Sequence, residues 1–225
     1  MAVVLNLVRH GETTGYASDL GLTARGRQQA LDTGRELAAT LPEGQPVRVL
    51  HAPTRRADET AAALHAQLPA AEPPVVEPGF QNITVDVDGR HLELTSAPRP
   101  HGDPSPGPER ELAWFWAAHE AGDAMGFWLA QPLLHLESPV EVVRRYWTTA
   151  LRLAAGVVEG SHVVVATHSG PMRALVAVAQ GADAGEPDNG EVLRLSVAPG
   201  SACASVEFRG RVDTVLLPGG PRPTG

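Results

Sequence analysis

Two short, almost unbroken apolar runs constrain this chain most: Val3-Val4-Leu5-Asn6-Leu7-Val8 and Val163-Val164-Val165-Ala166. A strand buried on both faces reads this way, and such strands belong to parallel sheets covered by helices. Each run delivers a histidine at its C-terminal end. The first continues as Arg9-His10-Gly11-Glu12-Thr13, the second as Thr167-His168-Ser169-Gly170-Pro171. Open α/β sheets hold their ligands at the carboxyl ends of parallel strands. A histidine beside an arginine at such a place points to phosphate chemistry.

Around these runs strands and helices alternate. Thr23 is placed to cap a helix reaching about Ala39. Val47 to Leu50 reads as a strand, followed by His51 and a helix from Arg55 or Arg56 to Leu68, where Pro69 ends it. Prolines and glycines crowd residues 69–110, with Val85 and Val87 hinting at an edge strand or hairpin arm and Pro98 to Pro108 forming a loop. Glu109 to about Ala130 reads as one helix; its Trp114, Trp116 and Trp128 suit core or lid packing. Further helices are expected at 139–158 and 171–179, and strands near 192–197, 202–208 and 212–217. The pattern predicts an α/β fold of three layers, α/β/α, with a mostly parallel central sheet. A chain of 225 residues suits one domain, 1–225, with a sizeable insertion.

A formal net charge of -8 and a pI near 5.6 argue against nucleic acid or an anionic membrane as partner. The basic residues are 18 arginines and no lysine, which excludes lysine Schiff-base chemistry. A single cysteine, Cys203, excludes an internal disulfide and reads as a buried thiol in a strand-like stretch. No run approaches the roughly 18 apolar residues of a membrane span, and no leader pattern opens the chain, so a cytoplasmic protein is expected. His65, His91, His101, His119, His135 and His162 show no ligand-like spacing with acidic partners. No metal or cofactor is expected.

Three segments, in order and each just after an apolar run, now stand together: Arg9 to Thr13; Pro53-Thr54-Arg55-Arg56-Ala57-Asp58-Glu59-Thr60-Ala61; and Thr167 to Pro171. Together they resemble the histidine phosphatase superfamily, the phosphoglycerate-mutase-like proteins. Asp19-Leu20-Gly21-Leu22-Thr23, with Gly26, Gln29 and Ala30, resembles its first helix start, and Glu137-Ser138 its G-E-S segment. The resemblance implies a metal-independent phosphatase acting on a small phosphorylated metabolite, with a variable cap inserted at about 80–135. It makes His10 the nucleophile that becomes phosphohistidine, Arg9 and Arg56 the phosphate clamps, and His168 a donor to the phosphoryl oxygens. Gly11, Thr13, Tyr16 and Ser169 would contact the substrate. Arginine suits the clamp because its planar fork binds phosphate bidentately and stays charged.

A carboxyl group must protonate the leaving oxygen and later accept a proton from water. The family's L-x-E-x-x-[FY]-G segment is best matched by Val75 to Gln81, which makes Glu77 the acid, with Asp86, Asp88 and Glu93 as alternatives. Tyr16 stands where the family often has Asn, so its hydroxyl either binds phosphate or packs. Arg55 reads as a solvated neighbour, and His51 as a structural hydrogen-bonder. Two other functions are weighed. A phosphomutase would carry a W-N and F-T-G-W pattern after Arg9 to Glu12, which is missing; a phosphate-binding regulatory protein would keep the pocket without turnover.

Overall fold

Alternate residues of the two apolar runs enter different cores. In β6 (His162–Thr167), Val163 and Val165 pack into one apolar cluster, Val164 and Ala166 into another. In β1 (Val3–Arg9), Val3, Leu5 and Leu7 join the first cluster and Val8 the second. Successive strand side chains point to opposite faces, so both faces need a helical cover. The computed structural model describes residues 2–216 apart from 17, 43, 101, 103, 159 and 199.

The other strands of the main sheet are β2 (Val47–His51), β3 (Val75–Val76), β7 (Val192–Val197), β8 (Cys203–Phe208) and β9 (Arg211–Leu216). The sheet order is β3-β2-β6-β1-β7-β8-β9. β3, β2, β6 and β1 are parallel, whereas β7, β8 and β9 join by antiparallel pairings. Because β8 again runs with β1, five of the seven strands share one sense.

α1 (Ala24–Thr40) and α2 (Arg55–His65) cover the face holding Val164 and Ala166, through Leu37, Ala57, Ala61 and Leu64. α5 (Pro139–Gly156) and α6 (Ser169–Gln180) cover the other, through Val142, Tyr146, Trp147, Met172 and Leu175. Each such fully buried large side chain contributes roughly 1.5–3 kcal/mol of transfer free energy. Thr23 caps α1 by accepting from the Gly26 amide, and Ser138 caps α5 in a reciprocal box with Glu141.

The remaining elements gather over the sheet's carboxyl end. The hairpin β4 (Thr84–Val87) and β5 (Arg90–Glu93) turns at Asp88-Gly89, both at positive φ (53° and 75°), the geometry a two-residue Asp-Gly turn supplies. The expected single helix at 109–130 is two helices, α3 (Pro108–Glu120) and α4 (Ala124–Ala130). Gly122, at φ 99°, breaks it, and Asp123 recaps by accepting from the Gly126 amide at 2.9 Å. Propensity alone hid this break, because the apolar residues continue straight through it. The tryptophans divide accordingly: Trp116 and Trp128 are buried, while Trp114 is half exposed.

α2 stops at His65, three residues before Leu68, and α6 begins directly after His168 rather than at Pro171. Cys203 is only partly buried, because it alternates with the inward-facing Ala204 and Val206 of β8. His101 and Leu217, the last residue of the expected final strand, lie outside the described residues. Among the described residues no helix is long and apolar enough to cross a membrane.

Candidate active site

Parallel pairing sets Arg9 opposite Thr167, so the two strands release their histidines side by side. The His10 and His168 rings lie 5.3 Å apart, centroid to centroid, at 66°. Both are buried. The His10 backbone amide donates to the Thr167 carbonyl at 2.9 Å, and its carbonyl accepts from Asn189 Nδ2 at 2.8 Å. Nδ1 of His10 lies 2.8 Å from the Gly11 carbonyl. A carbonyl can only accept, so Nδ1 carries the hydrogen and Nε2 keeps its lone pair.

Burial lowers the His10 pKa to about 3, with the Arg56 and then the Arg9 charges adding to the effect against the Gly11 hydrogen bond. Burial, with Arg56 and His10 beside it, holds His168 well below its usual value. Both imidazoles are therefore neutral at pH 7. Between about pH 6.5 and pH 3 the unfolded chain protonates His10 while the folded chain does not, so stability falls on acidification across that window. By pH 5, His10 alone should remove about 2 kcal/mol relative to pH 7, and His168 acts in the same direction. Urea titrations at the two pH values check this; equal unfolding free energies would contradict the buried neutral pair.

The loop after His10 presses on the start of α1. A Cβ at Gly11 would sit 2.2 Å from the Gly26 carbonyl oxygen, and one at Gly26 would sit 2.1 Å from that of Glu12. That contact demands glycine at both positions. Thr54 precedes α2 as its N-cap residue, yet its hydroxyl makes no cap bond. It lies 3.1 Å from His168 Nε2 instead.

Arg56 is the most deeply buried cation of the site, 1% exposed. Its guanidinium donates to Asp19 Oδ1 at 3.2 Å, Thr95 Oγ1 at 3.2 Å and Glu93 Oε1 at 3.1 Å. Arg9 pairs with Glu186 at 3.0 Å and donates to the Pro187 carbonyl. The Nε atoms of Arg9 and Arg56 and Nδ1 of His168 are buried without a hydrogen-bond partner. Three orphaned nitrogens around two arginines suit an oxyanion.

Arg9, His10, Arg56, His168 and Ser169 line a cavity of about 270 Å³. Asn82, Leu94, Thr95, Phe115, Trp116 and Met125 also line it, together with the more exposed His119, Asp123 and Glu186. Tyr16 also lines it, with Arg56 Cζ 5.9 Å from its ring centre and the His10 ring at 6.2 Å.

The family model of the histidine phosphatase superfamily (branch 1) matches residues 5–202. The chain belongs to the histidine phosphatase superfamily. Solved structures of similar fold include mycobacterial glucosyl-3-phosphoglycerate phosphatase, 22% identical over 87% of this chain and 91% of that one, with a TM-score of 0.57. The same mycobacterial enzyme in complex with inorganic phosphate gives 20%, 97%, 97% and 0.58. Bacillus stearothermophilus YhfR gives 21%, 94%, 98% and 0.60. At these identities the shared property is the fold. No functionally curated protein matches the sequence significantly.

The superfamily motifs do not all converge on the cavity. Gly11 and Thr13 lie beside it: the Gly11 amide donates to Thr60 Oγ1 at 3.1 Å, and the Thr13 hydroxyl to the Gly21 carbonyl at 2.9 Å. Both therefore hold the loop rather than line the pocket. Glu77 needs a correction. It begins a short 3-10 turn, where Oε1 accepts from the Gly79 amide at 3.0 Å, while Oε2 pairs with Arg152 of α5 at 2.5 Å. Those two partners draw it away, and it does not line the cavity.

Among the alternatives, Asp86 accepts from the Gly89 amide and Asp88 sits in the hairpin turn. Glu93 stands behind Arg56 and accepts from Asn82 Nδ2 at 2.7 Å and the Thr95 amide at 2.9 Å. Among the described residues the carboxylates that line the cavity are Asp123 and Glu186, which share Arg173 Nη1 at 2.8 and 3.1 Å. Sequence reasoning missed both. The Gly122-Asp123 helix breaker and the Gly185-Glu186-Pro187 loop were the available signals. His51 is structural, with Nδ1 donating to the Ala52 carbonyl at 2.9 Å, and Arg55 pairs with Glu59 on the surface. Among the described residues no group of three or more His, Cys, Asp or Glu could hold a metal ion.

Proposed function

We propose that the chain is a phosphatase that hydrolyses a small phosphomonoester through a phosphohistidine on His10. The observation that carries this reading is the neutral His10, its Nε2 lone pair free, in a cavity with two arginines. The Nε2 lone pair attacks phosphorus, the ester P–O bond breaks, and the alcohol oxygen leaves to be protonated. Water then attacks phosphorus, the P–N bond breaks, and inorganic phosphate departs with neutral His10 restored. Arg9 and Arg56 spread the phosphoryl charge and hold it in line, which supplies most of the rate in such transfers. Burial is the main cause that holds His168 neutral, with the arginine charges adding to it; a bound dianion offsets the arginine part and favours the protonated, donating form. The N-terminus of α6 at Ser169 adds favourable dipole.

For the proton steps the candidates are the cavity carboxylates. The hydrogen bonds from Arg173 and the Gly126 amide hold Asp123 below the usual carboxylate range. That weakens it as a base and leaves it no proton for the alcohol oxygen, so Glu186 is the candidate to give that proton and later to take one from water. A phosphomutase would need further cations for a doubly phosphorylated species, and Arg9 and Arg56 are the only arginines among the described cavity residues.

Incubation with 4-nitrophenyl phosphate tests the reading: release of nitrophenolate is expected. No release across pH 4–8, with inorganic phosphate still binding, would make this a binding protein. Glu77→Gln should leave turnover within about threefold, because the carboxylate does not face the chemistry. A loss beyond a hundredfold would return the acid role to Glu77.

A further inference from the structure

The cavity lining joins two chemistries, and the apolar one describes the alcohol. Leu94, Phe115, Trp116 and Met125 supply it, with Tyr16 reaching the His10 ring at 6.2 Å. Trp116 is locked from three directions. Arg99 lies 3.9 Å above its ring centre, Phe115 meets it edge-on at 5.4 Å, and His119 does so at 5.4 Å. His119 in turn meets Tyr16 edge-on at 5.6 Å. An aromatic wall ordered before the ligand arrives favours a flat apolar group, and ring contacts add to simple area burial.

Charge points the same way. Among the described lining residues Arg9 and Arg56 are engaged by the phosphoryl group, and the carboxylates are Asp123 and Glu186, the latter paired with Arg9 at 3.0 Å. Two further arginines lie close by without lining the cavity: Arg173 is buried and engaged by Asp123, Asp183 and Glu186, and Arg99 is stacked on Trp116 and donates to the Tyr16 carbonyl at 3.2 Å. A carboxylate or second phosphate on the alcohol would face these acids with no third arginine among the described lining residues. The volume, about 270 Å³, falls below the range of drug-sized pockets and admits a phosphoryl group with one small ring system.

We infer that the substrate is the phosphomonoester of an aromatic alcohol bearing no second anionic group. This rests on the phosphatase reading and narrows its substrate class. The test compares 2-phenylethyl phosphate, glycerol 3-phosphate and 3-phosphoglycerate, whose leaving groups are all alkoxides, beside 4-nitrophenyl phosphate as the general substrate. kcat/KM for the phenylethyl ester should exceed that for glycerol 3-phosphate at least about thirtyfold, the worth of burying a phenyl group. 3-Phosphoglycerate should be the poorest.

Trp116→Leu should shrink the phenylethyl preference about tenfold, mainly through KM, with inhibition by inorganic phosphate showing that the clamp still forms. Phe115→Leu provides a second variant if the first fails to fold. Turnover of 4-nitrophenyl phosphate with equal or better use of 3-phosphoglycerate overturns the aromatic class and leaves the phosphatase standing. A phenylethyl preference unmoved in both variants also overturns it. Failure to hydrolyse any of the four esters overturns the phosphatase reading and this inference with it.

Discussion

His10→Ala is expected to lower turnover by at least about four orders of magnitude, the scale of removing a nucleophile. The expectation rests on hydrogen-bond directionality. The Gly11 carbonyl fixes the proton on Nδ1, burial and the arginines keep the ring neutral, and Nε2 is left as the nucleophile. Wild-type enzyme mixed with labelled substrate and quenched in alkali should carry an acid-labile, alkali-stable phosphate; His10→Ala should carry none. Retained turnover in the variant would refute the covalent route. The same substitution should also flatten the acid-induced loss of stability between about pH 6.5 and pH 3, since one buried neutral imidazole is gone.

The second large effect is expected at Arg56, where stability and turnover are joined. The guanidinium is buried between Asp19 and Glu93, at 3.2 and 3.1 Å. Arg56→Ala leaves those carboxylates facing each other without a cation, and breaking a buried pair this way costs about 3–5 kcal/mol. Arg56→Lys separates the two roles. A lysine restores a positive charge but not the fork that reaches both acids, Thr95 and a phosphoryl oxygen. It should recover much of the stability while kcat/KM stays about a hundredfold or more below wild type. Urea unfolding read beside steady-state kinetics checks both. A lysine variant within threefold of wild type in kcat/KM would remove Arg56 from the clamp.

Legibility followed the range of the interactions involved. The Thr23 cap and the apolar runs of β1 and β6 are local, and each has a sequence signature the structure repeats. The two-helix cap was illegible from apolar spacing, because Phe115, Trp116 and Trp128 keep a helical rhythm across Gly122. Glu77 misled for a different reason. Its motif marks a backbone position, whereas the direction of its carboxylate is set by Arg152, 75 residues later. Thr54 shows the reverse case: a residue typed as a helix cap whose hydroxyl serves His168, 114 residues away.

The sequence by itself determined that two strand ends would present His10 and His168, with Arg9 beside the first, and the family resemblance added Arg56. Strand burial and helix starts are written in the spacing of neighbouring residues, and parallel pairing then leaves few other places for those side chains. Only the tertiary structure decided the tautomer and charge of His10, which acids reach the cavity, and which aromatic rings line it. Those depend on which distant side chain captures a given hydrogen bond or covers a given ring. Burial far from the residue in sequence sets that competition, and local spacing carries no record of it.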